Sequence, residues 1–208
     1  MSSIDCRPTD IAEKIIESFP RYRHYKDPFK ILISTVLSQR TKDENTEVAA
    51  NKLFEVYRTI EELSKANPKD LYELIKASGM YRQKSTRIVD IAKIIHNKFN
   101  NKVPNNLEDL ISLPGVGRKT ANIVLFVGFG IPAMAVDTHV HRIANRIGWA
   151  DTKKADDTEK ELVELIPKDL WGPLNGSMVE FGKNICKPQN PLCDKCFIRY
   201  CCEYYRSL

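Results

Sequence analysis

Apolar residues recur at the spacing of an α-helix along almost the whole chain of 208 residues. Ile11, Ile15 and Phe19 repeat every four residues, and no segment alternates with the two-residue period of a β-strand. Thr59-x-x-Glu62 is typical of a capping box at a helix start. The chain is therefore predicted to be all-α with short connections. Further helices are expected at residues 29–37, 43–57, 68–78, 84–99, 118–128, 138–147, 157–166 and 176–185.

The composition indicates which partner and which compartment to expect for such a protein. The 32 basic residues against 27 acidic ones give a net charge of +5, which slightly favours a polyanionic partner. Residues 1–9 are polar, without the apolar run of a signal peptide. The most apolar stretch, residues 121–136, is too short to cross a membrane and is interrupted by Gly128, Gly130 and Pro132. We expect a soluble, cytoplasmic protein whose cysteines are more often metal ligands than disulfides.

The sharpest motif is the segment 113–121, which reads LPGVGRKTA. Gly115 and Gly117 stand two residues apart between a short helix and an apolar one. Such a turn lets backbone amides approach an anion, and the following helix start adds partial positive charge. A plain turn between two helices is the alternative interpretation. The whole motif favours a hairpin that holds a DNA phosphate without reading the base.

Lys119 follows this turn directly, at the start of a helix whose remainder is almost wholly apolar. Most lysines are solvated surface residues, and that remains the alternative here. Partial burial beside a helix start favours the neutral, nucleophilic amine. The sequence makes Lys119 a candidate nucleophile.

A second motif, residues 136–140, reads VDTHV. Asp137 stands where an N-cap is expected before the helix at 138–147. Capping alone explains it, yet a capping aspartate can also accept a proton or balance positive charge on a reacting sugar. His139 is predicted either to contact a phosphate or to lie on the surface.

Four cysteines near the C-terminus have the spacing C-x6-C-x2-C-x5-C. Four-cysteine zinc sites usually consist of two separated Cys-x-x-Cys pairs, whereas this segment has one. The compact spacing favours a 4Fe–4S cluster over zinc. Cys201 is a competing ligand, and Cys6 is interpreted as a small side chain. The candidate ligands are Cys186, Cys193, Cys196 and Cys202.

Together these motifs resemble the endonuclease III family of DNA glycosylases, which combine a helix–hairpin–helix with a Gly/Pro-rich loop and an aspartate. The motifs at 79–81, 113–121 and 136–140 and the tail cysteines stand in family order. The resemblance implies two helical domains flanking a DNA-binding cleft. One is a six-helix barrel with the helix–hairpin–helix, at residues 21–131. The other comprises residues 1–20 and 132–208 and carries the 4Fe–4S cluster, which supports a basic loop with Lys183, Lys187 and Lys195.

The resemblance also implies a mechanism. A damaged pyrimidine nucleotide in double-stranded DNA is flipped out, and Lys119 attacks C1′, expels the base and forms a Schiff base. β-Elimination then cleaves the strand 3′ to the abasic site, with Asp137 assisting. Members that only remove a base lack an amine at this position, so Lys119 favours glycosylase plus AP lyase activity. We expect a monomer. The alternatives are a monofunctional mismatch or uracil glycosylase of the same superfamily and a non-catalytic DNA-binding module.

Two further positions are assigned by resemblance. Met80 stands where relatives place an apolar wedge that fills the gap left by the flipped nucleotide. Relatives often use a glutamine opposite the orphan base. An ungapped register places Arg40 there and a one-residue shift places Gln39, so that assignment stays open.

Overall fold

The computed structural model describes residues 6–21 and 27–208, and in these ranges it contains helices and turns but no strand. The predicted all-α class is confirmed. None of the described helices is long and apolar enough to cross a membrane. The α-helices are α1 (Pro8–Ser18), α2 (Pro28–Leu37), α3 (Asp43–Val56), α4 (Ile60–Ser64), α5 (Tyr72–Ile75), α6 (Tyr81–Lys98), α7 (Leu107–Ile111), α8 (Arg118–Ile123), α9 (Thr138–Ile147), α10 (Ala155–Leu165), α11 (Trp171–Asn184) and α12 (Glu203–Arg206).

Side chains at the helix starts satisfy backbone amides that have no partner within the helix. Asp27 accepts from the Phe29 amide at the start of α2. Thr59 and Glu62 form the predicted capping box of α4, and Asn106 caps α7. Each cap is worth about 1 kcal/mol. These local signals define where several of the short helices begin.

The chain divides into two compact units, Met1–Arg23 with Pro132–Leu208 and His24–Ile131. In the second of these, α2 is the central helix, as its continuous apolar run predicts. Leu32, Ile33, Val36 and Leu37 of α2 are fully buried. The α6 residues Ile88, Ile91 and Ile95 are also buried. This core fixes α2 and α6, whose ends lead into the loops described below.

The hairpin of the same unit joins α7 to α8. After Ile123 the helix continues as a π-helix over Val124–Gly128. The chain then leaves the helical conformation, and residues 133–136 are buried without being helical. The helix expected at residues 118–128 is therefore present, with a wider final turn.

The other unit has its own core, formed by α1, α9, α10 and α11. Ile11 and Ile15 of α1 pack in one cluster with Val140 and Ile143 of α9 and Phe181 of α11. The strong apolar face of α9 fixes which of its residues point inward. Asp137, Arg142 and Arg146 belong to the face that is not fully buried.

Two helices differ most from the sequence-based prediction. Helix α11 begins at Trp171, five residues before the expected start at residue 176. Pro173 lies in the first turn of this helix, where a proline loses no internal hydrogen bond. The helix expected over residues 68–78 is divided into Pro68–Leu71, α5 and Lys76–Ser78, with 3-10 turns at both ends.

Candidate DNA-binding and catalytic site

Gly115 shapes the turn between α7 and α8. Its φ of +73° lies in the left-handed region, and a Cβ at this position would lie 2.3 Å from Nε of Arg87. The positive φ therefore favours glycine here, and a larger residue would also displace the Arg87 side chain. Gly117 differs, because its φ is −95° and a Cβ would meet nothing within 4 Å. Gly117 thus faces open space at the start of α8.

Lys119 is the second residue of α8 and is half-buried. Residues 120–123, which complete the helix, are buried. Their burial fixes the first turn of α8 against the core of its unit. Lys119 is consequently held where backbone amides point away from the helix and the dipole is positive.

Gln39 links the end of α2 to the hairpin. Its Nε2 donates to the Gly115 carbonyl at 2.9 Å, and its Oε1 accepts from Nη1 of Arg87, also at 2.9 Å. Both ends of the Gln39 amide are therefore bonded within the unit.

Arg40 and Met80 share an unusual backbone conformation. Among the described residues other than glycine, positive φ occurs at three asparagines and at these two residues, at 54° for Arg40 and 44° for Met80. Asparagine tolerates this region, whereas arginine and methionine are strained there by about 1–3 kcal/mol. Both side chains are exposed, Met80 by 44%. The surrounding contacts must hold these two residues in place.

Asp137 is the N-cap of α9, as predicted. Its Oδ1 accepts from the amides of His139 and Val140, each at 2.9 Å. Both capping bonds use the same oxygen of the carboxylate. Asp137 belongs to the unit that includes residues 132–208, and Lys119 to the unit 24–131.

His139 is half-buried against α11. Its Nδ1 lies 3.2 Å from Nη2 of Arg142, and a Cβ on Gly182 would come within 2.6 Å of the same nitrogen. Burial lowers the pKa of His139, and the Arg142 and Lys183 charges add to this, while the Asp137 carboxylate opposes it. This shift favours the neutral imidazole.

Arg142 and Arg146 connect α9 to the cysteine segment, a role that was not predicted from the sequence. Arg142 donates to the Cys186 carbonyl at 2.8 Å. Arg146 donates to the carbonyls of Lys187 and Pro188 at 2.6 and 2.9 Å. Its Nη1 is also 3.4 Å from Cys186 Sγ. Their four-residue spacing could have indicated this shared role, because it places both cations on one face of the helix.

The four tail cysteines are free and half-buried. Together with Arg146 and Ile198, they line one pocket that is almost wholly apolar. Burial raises the pKa of Cys196 to about 11; it also raises the pKa of Cys193 and of Cys202, in each case together with nearby thiols. Among the described residues no group of three or more His, Cys, Asp or Glu is arranged to hold a single metal ion.

The remaining two cysteines correct the sequence interpretation. Cys6 and Cys201 form a disulfide, with Cα atoms 5.3 Å apart, although the two residues are 195 positions apart in sequence. The expectation that Cys6 is only a small side chain and that Cys201 competes as a ligand is wrong. The start of α1 lies beside the tail, a proximity that sequence spacing cannot reveal. Lys183, Lys187 and Lys195 of this region are exposed.

Comparisons with known proteins place these features in a class. The model of the HhH-GPD superfamily base excision DNA repair protein matches residues 33–168. That match covers the hairpin, Lys119 and Asp137, and it puts the chain among base-excision DNA repair proteins.

Relatives that match nearly the whole chain identify the family within this class. An endonuclease III from Thermotoga maritima is 64% identical over 197 residues, 95% of this chain and 92% of the relative. A solved structure of a trapped covalent intermediate of endonuclease III with DNA, an estranged-adenine complex, superposes with a TM-score of 0.86 at 35% identity over 94% of each chain. A thermostable thymine-DNA glycosylase gives 0.85 at 26% identity over 95% of this chain and 96% of that one. The chain belongs to the endonuclease III family.

Proposed function

We propose that this protein is a bifunctional DNA N-glycosylase and AP lyase that removes oxidised pyrimidines from double-stranded DNA. The observation that carries the proposal is the position of Lys119, half-buried in the first turn of α8 and directly behind the glycine hairpin. A phosphate held by the hairpin brings the sugar of a neighbouring flipped nucleotide to this amine.

In the proposed reaction the neutral Nζ of Lys119 attacks C1′ of the damaged nucleotide. The C1′–N bond breaks and the base leaves with a proton. The C1′–O4′ bond of the sugar then breaks, O4′ takes up the remaining proton of the amine, and a Schiff base joins the lysine to the opened sugar. A proton is then removed from C2′, and the C3′–O bond breaks with the 3′ phosphate as leaving group. Water hydrolyses the imine and releases the enzyme.

Asp137 assists this reaction in the proposal. Both capping bonds use Oδ1, so Oδ2 can accept a proton from Lys119 or balance the positive charge that develops on the sugar. Capping and chemistry are therefore compatible roles for one carboxylate.

The DNA backbone is proposed to bind at the hairpin. Gly115 sets the turn, and the open space at Gly117 allows a phosphate to approach the backbone amides at the start of α8. His139 contributes as a neutral donor to a further phosphate. The exposed lysines 183, 187 and 195 add charge that attracts the duplex.

Met80 is proposed as the wedge and Arg40 as the residue that faces the orphan base. Met80 is an exposed apolar side chain on a fixed turn, which suits insertion between base steps. Gln39, the other candidate, already uses both ends of its amide on Gly115 and Arg87. Arg40 is exposed and keeps its donors available for a base edge.

The four free cysteines are proposed to hold a 4Fe–4S cluster. They supply four thiols around one apolar pocket, the donor set that such a cluster requires, and Cys201 is excluded by its disulfide. When bound, the cluster supplies structural support by cross-linking the tail. Arg142 and Arg146 hold the Cys186–Pro188 backbone against α9 and so orient this segment.

Borohydride trapping tests the proposed reaction. Wild type is expected to give a covalent complex with duplex DNA containing thymine glycol or an abasic site, and Lys119→Ala to give none. Lys102→Ala, which removes an exposed lysine from the same unit, serves as the control and should trap normally. Base release by wild type without any trapped complex would instead favour the monofunctional alternative. Neither release nor trapping would favour a non-catalytic DNA-binding module.

A further inference from the structure

Lys84 lies in the first turns of α6 and is buried, with 1% of its surface exposed. Its ammonium group donates to the Leu37 carbonyl at 2.6 Å, the Thr41 hydroxyl at 2.7 Å and the Ser78 carbonyl at 2.6 Å. Three N–H donors thus meet three acceptors. The Thr41 hydroxyl in turn donates to the Ser78 carbonyl.

Burying the Lys84 charge in this way costs folding free energy, so stability alone does not explain it. The three acceptors are neutral, and no carboxylate bonds to the buried charge in the part of the chain that the structure describes. Desolvation, with the nearby Arg87 charge, lowers the pKa of Lys84 to about 8. A methionine would fill similar space without removing a charge from water. The lysine is better explained by what its three bonds join.

The three acceptors flank the two strained residues of the site. Leu37 ends α2 three residues before Arg40, and Thr41 follows Arg40 directly. Ser78 precedes the Gly79–Met80 turn by one residue, and the Lys84 amide continues the same turn by bonding to the Met80 carbonyl at 3.0 Å. Lys84 and Thr41 therefore connect the Arg40 loop to the Met80 turn across a sequence distance of about forty residues.

The same face of α6 also reaches the hairpin. Arg87, three residues after Lys84, donates to Gln39, and Gln39 donates to the Gly115 carbonyl. The Arg87 side chain occupies the space that a Cβ on Gly115 would need. One helix face thus links three loops: residues 38–42, residues 78–80 and the hairpin.

We propose that Lys84 is a positioning residue that holds Arg40 and Met80 at a fixed separation, so that both enter the gap left by the flipped nucleotide together. This inference rests on the proposed function, because it takes Arg40 and Met80 to be the gap-filling residues. Lys84 itself is buried and touches neither the DNA nor the reacting sugar.

The test uses full-length protein and a duplex in which a non-cleavable abasic analogue faces 2-aminopurine, whose fluorescence rises when it is unstacked. Wild type is expected to raise the fluorescence on binding, and Met80→Ala and Arg40→Ala each to reduce that rise. Lys84→Met should reduce the rise to a similar extent and weaken duplex binding about tenfold. Trapping on single-stranded abasic DNA, where no orphan base exists, should fall by less. The matched control is Lys93→Met, an exposed lysine of the same helix, which should resemble wild type.

A double-mutant cycle separates positioning from general weakening of the fold. If Lys84 acts through the wedge, Met80→Ala should cost less in the Lys84→Met background than in wild type. Thr41→Val removes one acceptor with little change in volume, and it replaces Lys84→Met if that variant does not fold. A normal fluorescence rise in both variants, or additive effects in the cycle, would overturn the inference. If Met80→Ala and Arg40→Ala leave the fluorescence unchanged, the gap-filling roles themselves are wrong.

Discussion

The side-chain amide of Gln39 donates to the carbonyl of Gly115 at 2.9 Å, although the two residues are 76 positions apart. This bond joins the loop that carries Arg40 to the hairpin that precedes Lys119. The local geometry of the hairpin therefore depends on residues outside its own motif. Its two glycines also differ in backbone conformation and surroundings, so their substitutions should have different consequences.

Gly115→Ala should destabilise the protein by about 1–3 kcal/mol, because the residue has a positive φ that alanine rarely adopts and the new Cβ would displace the Arg87 side chain. Gly117→Ala should change the stability by about 0.5 kcal/mol or less, since its φ is ordinary and the space is open. Both should weaken DNA binding, Gly117→Ala by crowding the phosphate. Urea denaturation and binding titrations measure the two effects. Equal losses of stability would contradict the assignment of the turn to Gly115.

Substitutions at Asp137 should separate capping from chemistry. Asp137→Asn keeps a capping oxygen and should change the stability little, whereas Asp137→Ala should cost about 1 kcal/mol. Both should lose base excision, because neither supplies a carboxylate. Thermal unfolding and single-turnover excision give the two readouts. Full activity of Asp137→Asn would show that the negative charge is not needed.

The disulfide leads us to expect different effects from substituting Cys201 and substituting the proposed cluster ligands. Cys201→Ser should lower the stability by about 2–4 kcal/mol, because the bond between Cys6 and Cys201 restrains the unfolded chain. The variant should keep the iron content and broad visible absorption of wild type. Cys196→Ser should lose both. Retention of iron by Cys196→Ser together with its loss from Cys201→Ser would reverse the ligand assignment.

Lys84 should leave a signature in the pH dependence of stability. Its pKa is about 8 in the folded protein, against an ordinary value of 10.5. Between these values the unfolded chain binds more protons, so this group makes the free energy of unfolding rise with pH. Below pH 8 both states are protonated and the contribution is constant. The stability of wild type relative to Lys84→Met should therefore increase between pH 8 and 10.5. A constant difference in denaturation experiments over this range would contradict the lowered pKa.

The features that could be predicted from the sequence are those that depend on residues close together along the chain. The caps at Thr59 and Asp137, the hairpin and the central apolar helix α2 all follow from short-range patterns. The Cys6–Cys201 bond and the contacts of Lys84 could not be predicted in this way, because each joins segments that only the folded chain brings together. Lys84 in particular resembles an ordinary helix lysine in the sequence. The start of α11 at Trp171 was not predicted either.

The identity of the nucleophile is tested most directly by locating the trapped adduct. Wild type is reduced with borohydride on abasic duplex DNA, the complex is digested with protease and nuclease, and the modified peptide is sequenced by mass spectrometry. We expect the sugar remnant to be attached to Nζ of Lys119. Attachment to another lysine or to the N-terminal amine would contradict it.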